Sequence, residues 1–545
     1  MATTSSKPTD HYWDWDPSLL SCDTLPSPRH DLGSLISDTT SIIETGTEFY
    51  DRSVTSRRYA LVGMVCSGVV SCCCIIAGIF IMATDKEGGM MAEITVILSS
   101  NLQKEMITLG LNLIVTLCTE STGFVHGISL RSALASESRL RFNSNLRLLN
   151  AARGWRNPNG ALSNGIMAIL LIISYSSASL VTLTESWMEI IGSSDNGYEV
   201  DQIFTVYSTS ILGLPLLLLG VALFLQVVIA WSAIRAVKIL TWSSSAFDLT
   251  AALVHHTQLI PVPFRCMRAV SNLDVHGGPA KPSDKQPSAW HAHPSIRKVI
   301  RSLWGLVLAC AVWATLAMYF YNKYKSSSSS MITLKSWSFF PSNQFSYAAI
   351  YGMPLSGNGP WWILYLANVA VFQGPLTLGL HCSELIVDVI RDERHWRCAS
   401  GTKGLKSTTN PLKSVFANPL CLILFVVKPV LHWMFGLAFT TYPGLYLGTR
   451  GIAFYMYTIQ IWNLCIVLLI FACCCTLVSL RRPHGPQPAA YGHLQTLANL
   501  VDEWSPVMWW GHKEDGIPYC HAGTSDHSLP AVKMDCIYAG SGSNR

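Results

Sequence analysis

Two ionisable residues fall in the middle of apolar stretches long enough to cross a bilayer, Glu120 within 107–129 and Lys428 within 418–439. A charge at that depth costs about 2.5 to 3.5 kcal/mol on the insertion scale, so a group kept there has a compensating partner or a task. The two stretches run in opposite directions, and Glu120 and Lys428 lie 13 and 11 residues from the same boundary. At about 1.5 Å per residue their depths differ by about 3 Å, close enough to pair. Asn112, Thr116, Thr119, Gly123 and His126 share a narrow arc of one helix with Glu120 at its border, a polar stripe that should face protein or water. His432 follows Lys428 by one turn. One reading has Glu120, Lys428 and His432, with Asn112 above them, lining a polar path for a solute or protons. The other has a single buried ion pair tying two helices together, and it suits a chain with no substrate-specific motif beside the charges.

A second constellation is Gln373-Gly374-Pro375 inside the apolar stretch 361–383, followed by His381 and Glu384 near its end. Gly and Pro interrupt helices, and interrupted helices expose backbone groups at transporter binding sites. They also kink ordinary membrane helices. His381 and Glu384, three apart, share a face, but two ligands make no metal site and there is no HExxH. No metal or cofactor is expected. The sequence has no GxxxxGK[ST] phosphate loop, no GxSxG elbow and no GxGxxG turn, so neither ATP-driven transport by this chain alone nor an enzyme is expected.

The elements that must position these residues are membrane helices. Half of the 545 residues are hydrophobic, 13% are charged and the mean hydropathy is +0.32, which is high for a water-soluble chain. A net charge of +5 is too small to suggest nucleic acid. Eight stretches reach the length needed for about 30 Å of hydrocarbon: 59–82, 107–129, 162–184, 208–233, 300–321, 361–383, 418–439 and 456–479. The connections alternate in Lys and Arg. The second holds six Arg, the fourth eight basic residues and the sixth another six, whereas the third has none and five acids. By the positive-inside rule the even connections and both termini face the cytoplasm. None of the 17 cysteines lies in the four connections assigned to the other side, so no disulfide framework is expected there.

The fold class expected is therefore all-α, a polytopic transmembrane bundle of about eight spans. Residues 1–50 read as a disordered acidic cytoplasmic tail carrying HYWDWDP, residues 51–480 as the bundle, and 481–545 as a cytoplasmic tail. In that tail Leu494, Leu497, Val501 and Trp504 recur at helical steps, predicting an amphipathic helix docked on the cytoplasmic face. The second connection mixes Leu and Phe with its six Arg, as in a helix lying on an anionic leaflet, so anionic lipid joins the bilayer itself as an expected partner. Comparison of the first four spans with the last four yields no convincing internal repeat.

At SLRSALASESRLRFNSNLRLLNAARGWRNPN (129–159), GLHCSELIVDVIRDERHWR (379–397) and AAYGHLQTLANLVDEWSPVMWWGHKEDG (489–516) the chain resembles an uncharacterised family of multi-pass membrane proteins of filamentous fungi. The resemblance covers most of the chain after about residue 45. It implies a membrane location and a fungal source, and it transfers no activity and no catalytic residue. Three functional readings follow. The first is an integral membrane protein of the plasma membrane or another secretory-pathway membrane, with a structural, sensory or scaffolding role. The alternative is a secondary transporter or channel using the region of Glu120 and Lys428. The third, a membrane-embedded enzyme, requires His381, Glu384 and His432 to converge with a metal.

Overall fold

A computed structural model describes residues 54–84, 92–97, 101–144, 148–193, 200–272, 278–324, 337–341, 348–354, 361–406, 416, 418–446 and 449–540. The acidic amino-terminal segment and the serine run 326–330 lie outside the described residues. Among the described residues, eight helices are long and apolar enough to cross a membrane: Thr55–Thr84, Glu105–Ser136, Ala161–Leu180, Gly213–Arg235, Pro294–Tyr324, Trp362–Ser400, Pro419–Ala438 and Thr458–Leu480. Each coincides with one stretch expected from the sequence, and they are numbered here as spans one to eight. Span four begins five residues later than expected, because 208–212 are strand.

Small residues set how closely these helices approach. Span one lies along span four, and a Cβ added to Gly220 would stand 2.8 Å from the backbone nitrogen of Ile75, one added to Gly78 2.7 Å from that of Leu217. The Ser71 hydroxyl donates to the Gly220 carbonyl at 2.9 Å across the same contact. With no hydrophobic drive between helices in lipid, such close backbone packing holds them together.

The two halves of the bundle are built alike, which the sequence comparison did not show. The first half reads helix, strand, helix, helix, two strands, helix, and the second follows the same order with the helix Glu384–Arg397 and the two-residue strand Leu405–Lys406 inserted before its third span. Within the halves, span one packs on four as five packs on eight, three on four as seven on eight, and two on three as six on seven. Between them, span two meets span seven and span three meets span six. Exchanging the halves leaves this pattern unchanged.

The strands obey the same rule. β1 (Glu93–Ile97), β2 (Thr182–Ser193) and β3 (Val200–Leu212) form an antiparallel sheet in the order β1-β3-β2. In the second half β4 (Ala348–Pro354), β6 (Phe439–Tyr446) and β7 (Thr449–Tyr457) form another, ordered β4-β7-β6. All-helical thus describes the spans, whereas the odd connections satisfy their backbone groups in sheets.

The even connections and the carboxy-terminal segment fold together. Helices Ala246–His255, Glu384–Arg397 and Leu494–Leu500 join a sheet of β5 (Leu405–Lys406), β8 (Val507–Glu514) and β9 (His521–Ser525). Phe247, Trp396, Leu497, Trp510 and Tyr538 are buried at its centre. The amphipathic helix expected over 494–504 stops at Leu500, and its Leu494, Leu497 and Val501 are buried, with the helix packed on Ala246–His255. In the second connection the helix expected on the leaflet is absent among the described residues of 137–160, which form turns and isolated bridges. Arg131 is instead buried within span two, donating to Asn143 Oδ1 at 2.6 Å and to the Ser243 carbonyl at 3.3 Å.

Close packing at Gly220 makes a strong prediction. Gly220→Val should lower the stability of the detergent-solubilised protein by about 1 to 3 kcal/mol through overpacking, whereas Gly110→Ala, whose Cβ meets nothing within 4 Å, should melt like wild type. Equal melting temperatures for the two variants would contradict this packing.

A pH prediction comes from the even side. Phe142 is flanked by His293, ring centroids 4.0 Å apart, and by His493 at 4.8 Å. Burial pushes both imidazoles down to about 4, with Arg141 and His293 adding to the effect at His493. The unfolded rings take up protons near about 6.5, so this contribution is complete above that pH and is lost as pH falls toward 4. Melting temperatures measured from pH 7.5 to 4.5 should fall more steeply for wild type than for His293→Phe/His493→Asn; parallel curves would refute the assignment.

Candidate functional site

Spans two, three, six and seven, the four that meet where the halves join, carry the polar residues of the bundle interior. Lys428 on span seven is 2% exposed, and its Nζ donates to Glu120 Oε1 of span two at 2.6 Å. It also donates to Oε1 of Glu384. The pairing expected from depth is therefore present, and the sequence reading missed its third member. Glu384 was placed beyond the end of span six. The structure puts it at the level of Lys428, because span six continues through Ser383, which keeps helical backbone angles and helical hydrogen bonds, and carries Glu384 past the apolar stretch to a place beside span seven.

The Trp361–Cys382 helix runs through Gly374 and Pro375 without a gap. The missing N–H of a proline is tolerated where neighbouring groups re-satisfy the backbone.

His381, in the last turn of the Trp361–Cys382 helix, completes the cluster. Its Nδ1 lies 3.0 Å from Glu384 Oε1 and 3.7 Å from Glu120 Oε1, while its Nε2 is buried without a hydrogen-bond partner. In their ordinary charge states two carboxylates and one ammonium carry a net negative charge, so the cluster accepts one more positive charge before it is neutral. Glu120 is the twentieth residue of the helix Asn101–Ser136 and His381 the twenty-first of Trp361–Cys382. The corresponding helices of the two halves thus face each other with near-equivalent positions.

The same holds one layer away. Tyr175 is the fifteenth residue of span three and His432 the fourteenth of span seven, and their rings stack at 3.7 Å with 14° between planes. The Tyr175 hydroxyl hydrogen-bonds Thr116 at 3.0 Å and Thr119 at 3.4 Å. Gln373 joins Ser179 at 3.0 Å and His432 Nδ1 at 3.3 Å. His432 therefore belongs to an aromatic and amide layer beside the ion cluster, and its own Nε2 is buried and unpartnered. Asn112 stands farther along span two, its amide donating to the Thr108 carbonyl at 3.0 Å, and it reaches the cluster only through Thr116 and Tyr175. The polar stripe of span two thus faces protein. Tyr175 went unnoticed in the sequence because an aromatic among apolar residues reads as packing.

A cavity of about 60 Å³ borders the cluster, lined by His381 and Glu384 together with Ser144 and Leu148 of the second connection and Asn164, Met167 and Gln226. Asn164 Oδ1 is buried there without a partner. The arrangement is a small pocket of mixed polar and apolar lining beside an ion cluster. No family model, no curated protein and no solved structure matches the chain, so the site is read from its own geometry.

The cluster predicts an asymmetric response to substitution. Lys428→Met leaves two carboxylates facing each other and should cost about 3 to 5 kcal/mol, as when one member of a buried ion group is removed. Glu120→Gln leaves Lys428 its Glu384 partner and should cost much less. Combining Lys428→Met with Glu120→Gln and Glu384→Gln should recover most of the loss. Thermal melting of the purified variants decides the matter, and equal losses for the two single changes would rule out the shared ammonium.

Proposed function

We propose that the protein is a secondary transporter whose substrate path runs between its two halves and through the Glu120, Lys428, His381 and Glu384 cluster. The observation that carries this reading is the cavity lined by His381 and Glu384 of that cluster where two like-built halves meet. Transporters built from parallel repeats place substrate and coupling-ion sites near mid-membrane at the repeat interface. Ionisable groups at membrane depth mark ion and solute pathways. A purely structural clamp needs neither the cavity nor two buried imidazole nitrogens without partners. An embedded enzyme has its histidines and carboxylates convergent here, but a pocket of about 60 Å³ admits little beyond a few water-sized groups, which suits a small ion better than an organic substrate.

In the orientation that fits this reading, both termini and the even connections face the cytoplasm, as their lysine and arginine content favours. The two odd-side sheets then close the external surface. Basic residues of the even connections that are not engaged by the fold are available to anionic lipid. The plasma membrane or another secretory-pathway membrane is the proposed location.

Hydroxyl-radical footprinting in lipid nanodiscs tests the path without knowledge of the substrate. Met167 lines the cavity, whereas Met434 on span seven is packed in the apolar core. Both are almost fully buried. Met167 should oxidise at least severalfold faster than Met434, and more slowly once Asn164→Leu narrows the wall. Equal protection of the two methionines in the folded protein would overturn the transport reading.

A further inference from the structure

The cluster offers a specific donor set. Among the described residues, Glu120, His381 and Glu384 form a trio in which each contributes one ligand atom and all three atoms lie within 4.8 Å of one another. The imidazole Nδ1 stands 3.0 Å from one carboxylate oxygen and 3.7 Å from the other. First-row divalent cations bind nitrogen and oxygen ligands at about 2.0 to 2.2 Å, so neighbouring ligands around one ion are spaced by about 3 to 3.5 Å. The two spacings from the imidazole are near that value, and the two carboxylates lie within 4.8 Å of each other. Small side-chain movements would bring the trio to a shared centre.

Two further observations point to a cation there. Both carboxylate oxygens that would ligate are already held by a cation, the Lys428 ammonium, which donates to Oε1 of Glu120 and Oε1 of Glu384. The lysine occupies the ground of a metal ion as a tethered substitute. In addition His381 is 7% exposed, and its Nε2 has no hydrogen-bond partner although the residue borders the cavity. The cavity supplies room for the water that a three-ligand site keeps in its open position. Its wall adds one acceptor without a partner, Asn164 Oδ1, which suits a hydrated cation.

We propose that the cargo or coupling ion of this protein is a first-row divalent metal cation, bound by Glu120, His381 and Glu384 in exchange for the Lys428 ammonium. Two oxygens and one imidazole nitrogen suit Mn²⁺, Fe²⁺ or Zn²⁺ and lack the thiolate that would select Cu⁺. This inference rests on the transport reading for its meaning, though not for its test. Lys428 is a positioning residue here. It keeps the carboxylates together while the site holds no ion, and it must leave them when one enters.

The test uses purified full-length protein in detergent, titrated with Zn²⁺ alone at fixed pH, with calorimetry for affinity and X-ray absorption for the ligand shell. Wild type should bind one ion at this site. Glu120→Gln and Glu384→Gln should each weaken that binding at least tenfold, and Lys428→Met, with the competitor removed, should strengthen it by a similar factor. The absorption shell should show only nitrogen and oxygen at about 2.0 to 2.1 Å, whereas sulfur at about 2.3 Å would place the ion on cysteines. Should Lys428→Met fail to fold, the two glutamine variants and the ligand shell still decide. Unchanged affinity in both glutamine variants, a sulfur shell or no binding by wild type would overturn the metal assignment. If Met167 is nevertheless open to water, the path stands and only the ion is wrong; metal binding behind a protected Met167 would leave a static metal site and remove the transporter.

Discussion

One buried ammonium organises the membrane half of this protein. Lys428 has almost no contact with solvent, and an unpaired charge in such a place is among the most costly arrangements a bundle can hold. Its two carboxylate partners come from opposite halves, Glu120 on span two and Glu384 on span six. The interhelical packing must therefore keep spans two, six and seven in register to within a hydrogen-bond length. Tyr175 and His432 stacked beside the cluster bring in span three. Helix pairs that could otherwise slide along one another are fixed in depth by this electrostatic requirement, while the apolar surfaces around it supply area without register.

The duplicated architecture explains why the cluster sits where it does. In each half the outer pair of helices packs by close contact, through Gly78 and Gly220 in the first half. The inner pair is left to face the other half. Residues of the two halves meet at this seam, Glu120 with His381 and Tyr175 with His432. The chemistry at those positions differs between the halves, a carboxylate opposite an imidazole and a phenol opposite an imidazole. That divergence turns a symmetric seam into an asymmetric ion site. It also hides the duplication from the sequence, since the matched residues share depth and direction but not type.

What could be read beforehand follows from which forces leave a local trace. Spans were legible because about 20 apolar residues in a row have few alternatives to crossing a bilayer. The depth of Glu120 and Lys428 was legible because a helix converts residue count into distance. Glu384 was not, since span six runs on to Ser400, past the apolar stretch that marks it in the sequence. The visible Gly374-Pro375 signal pointed to an interruption that the helix does not show. The sheets were missed for a related reason: EITVI and TRGIAFYMY carry the β-branched and aromatic residues of strands, but EITVI pairs with a strand of a distant connection, and TRGIAFYMY joins a neighbouring strand to a distant one. Arg131 shows the limit of charge counting, because it was assigned to a leaflet and is spent on Asn143 inside the fold.

The helix Glu384–Arg397 joins the intramembrane site to the layer on the even side, and this connection bears on how the site could change state. Glu384 in its first turn holds Lys428. Two turns later Asp392 accepts a hydrogen bond from Asn143 at 2.8 Å, and Glu393 accepts from the backbone nitrogens of Ala490 and Tyr491, both at 2.9 Å. Trp396 donates to the Pro488 carbonyl at 2.7 Å. A helix is stiff over so short a span, so withdrawal of Glu384 from Lys428 displaces the groups that anchor the carboxy-terminal segment. Conversely, any load on that segment is felt at the carboxylate. His381 and Glu384 stand one turn apart on the same span six, so the ion cluster and the even-side layer are joined through one continuous element.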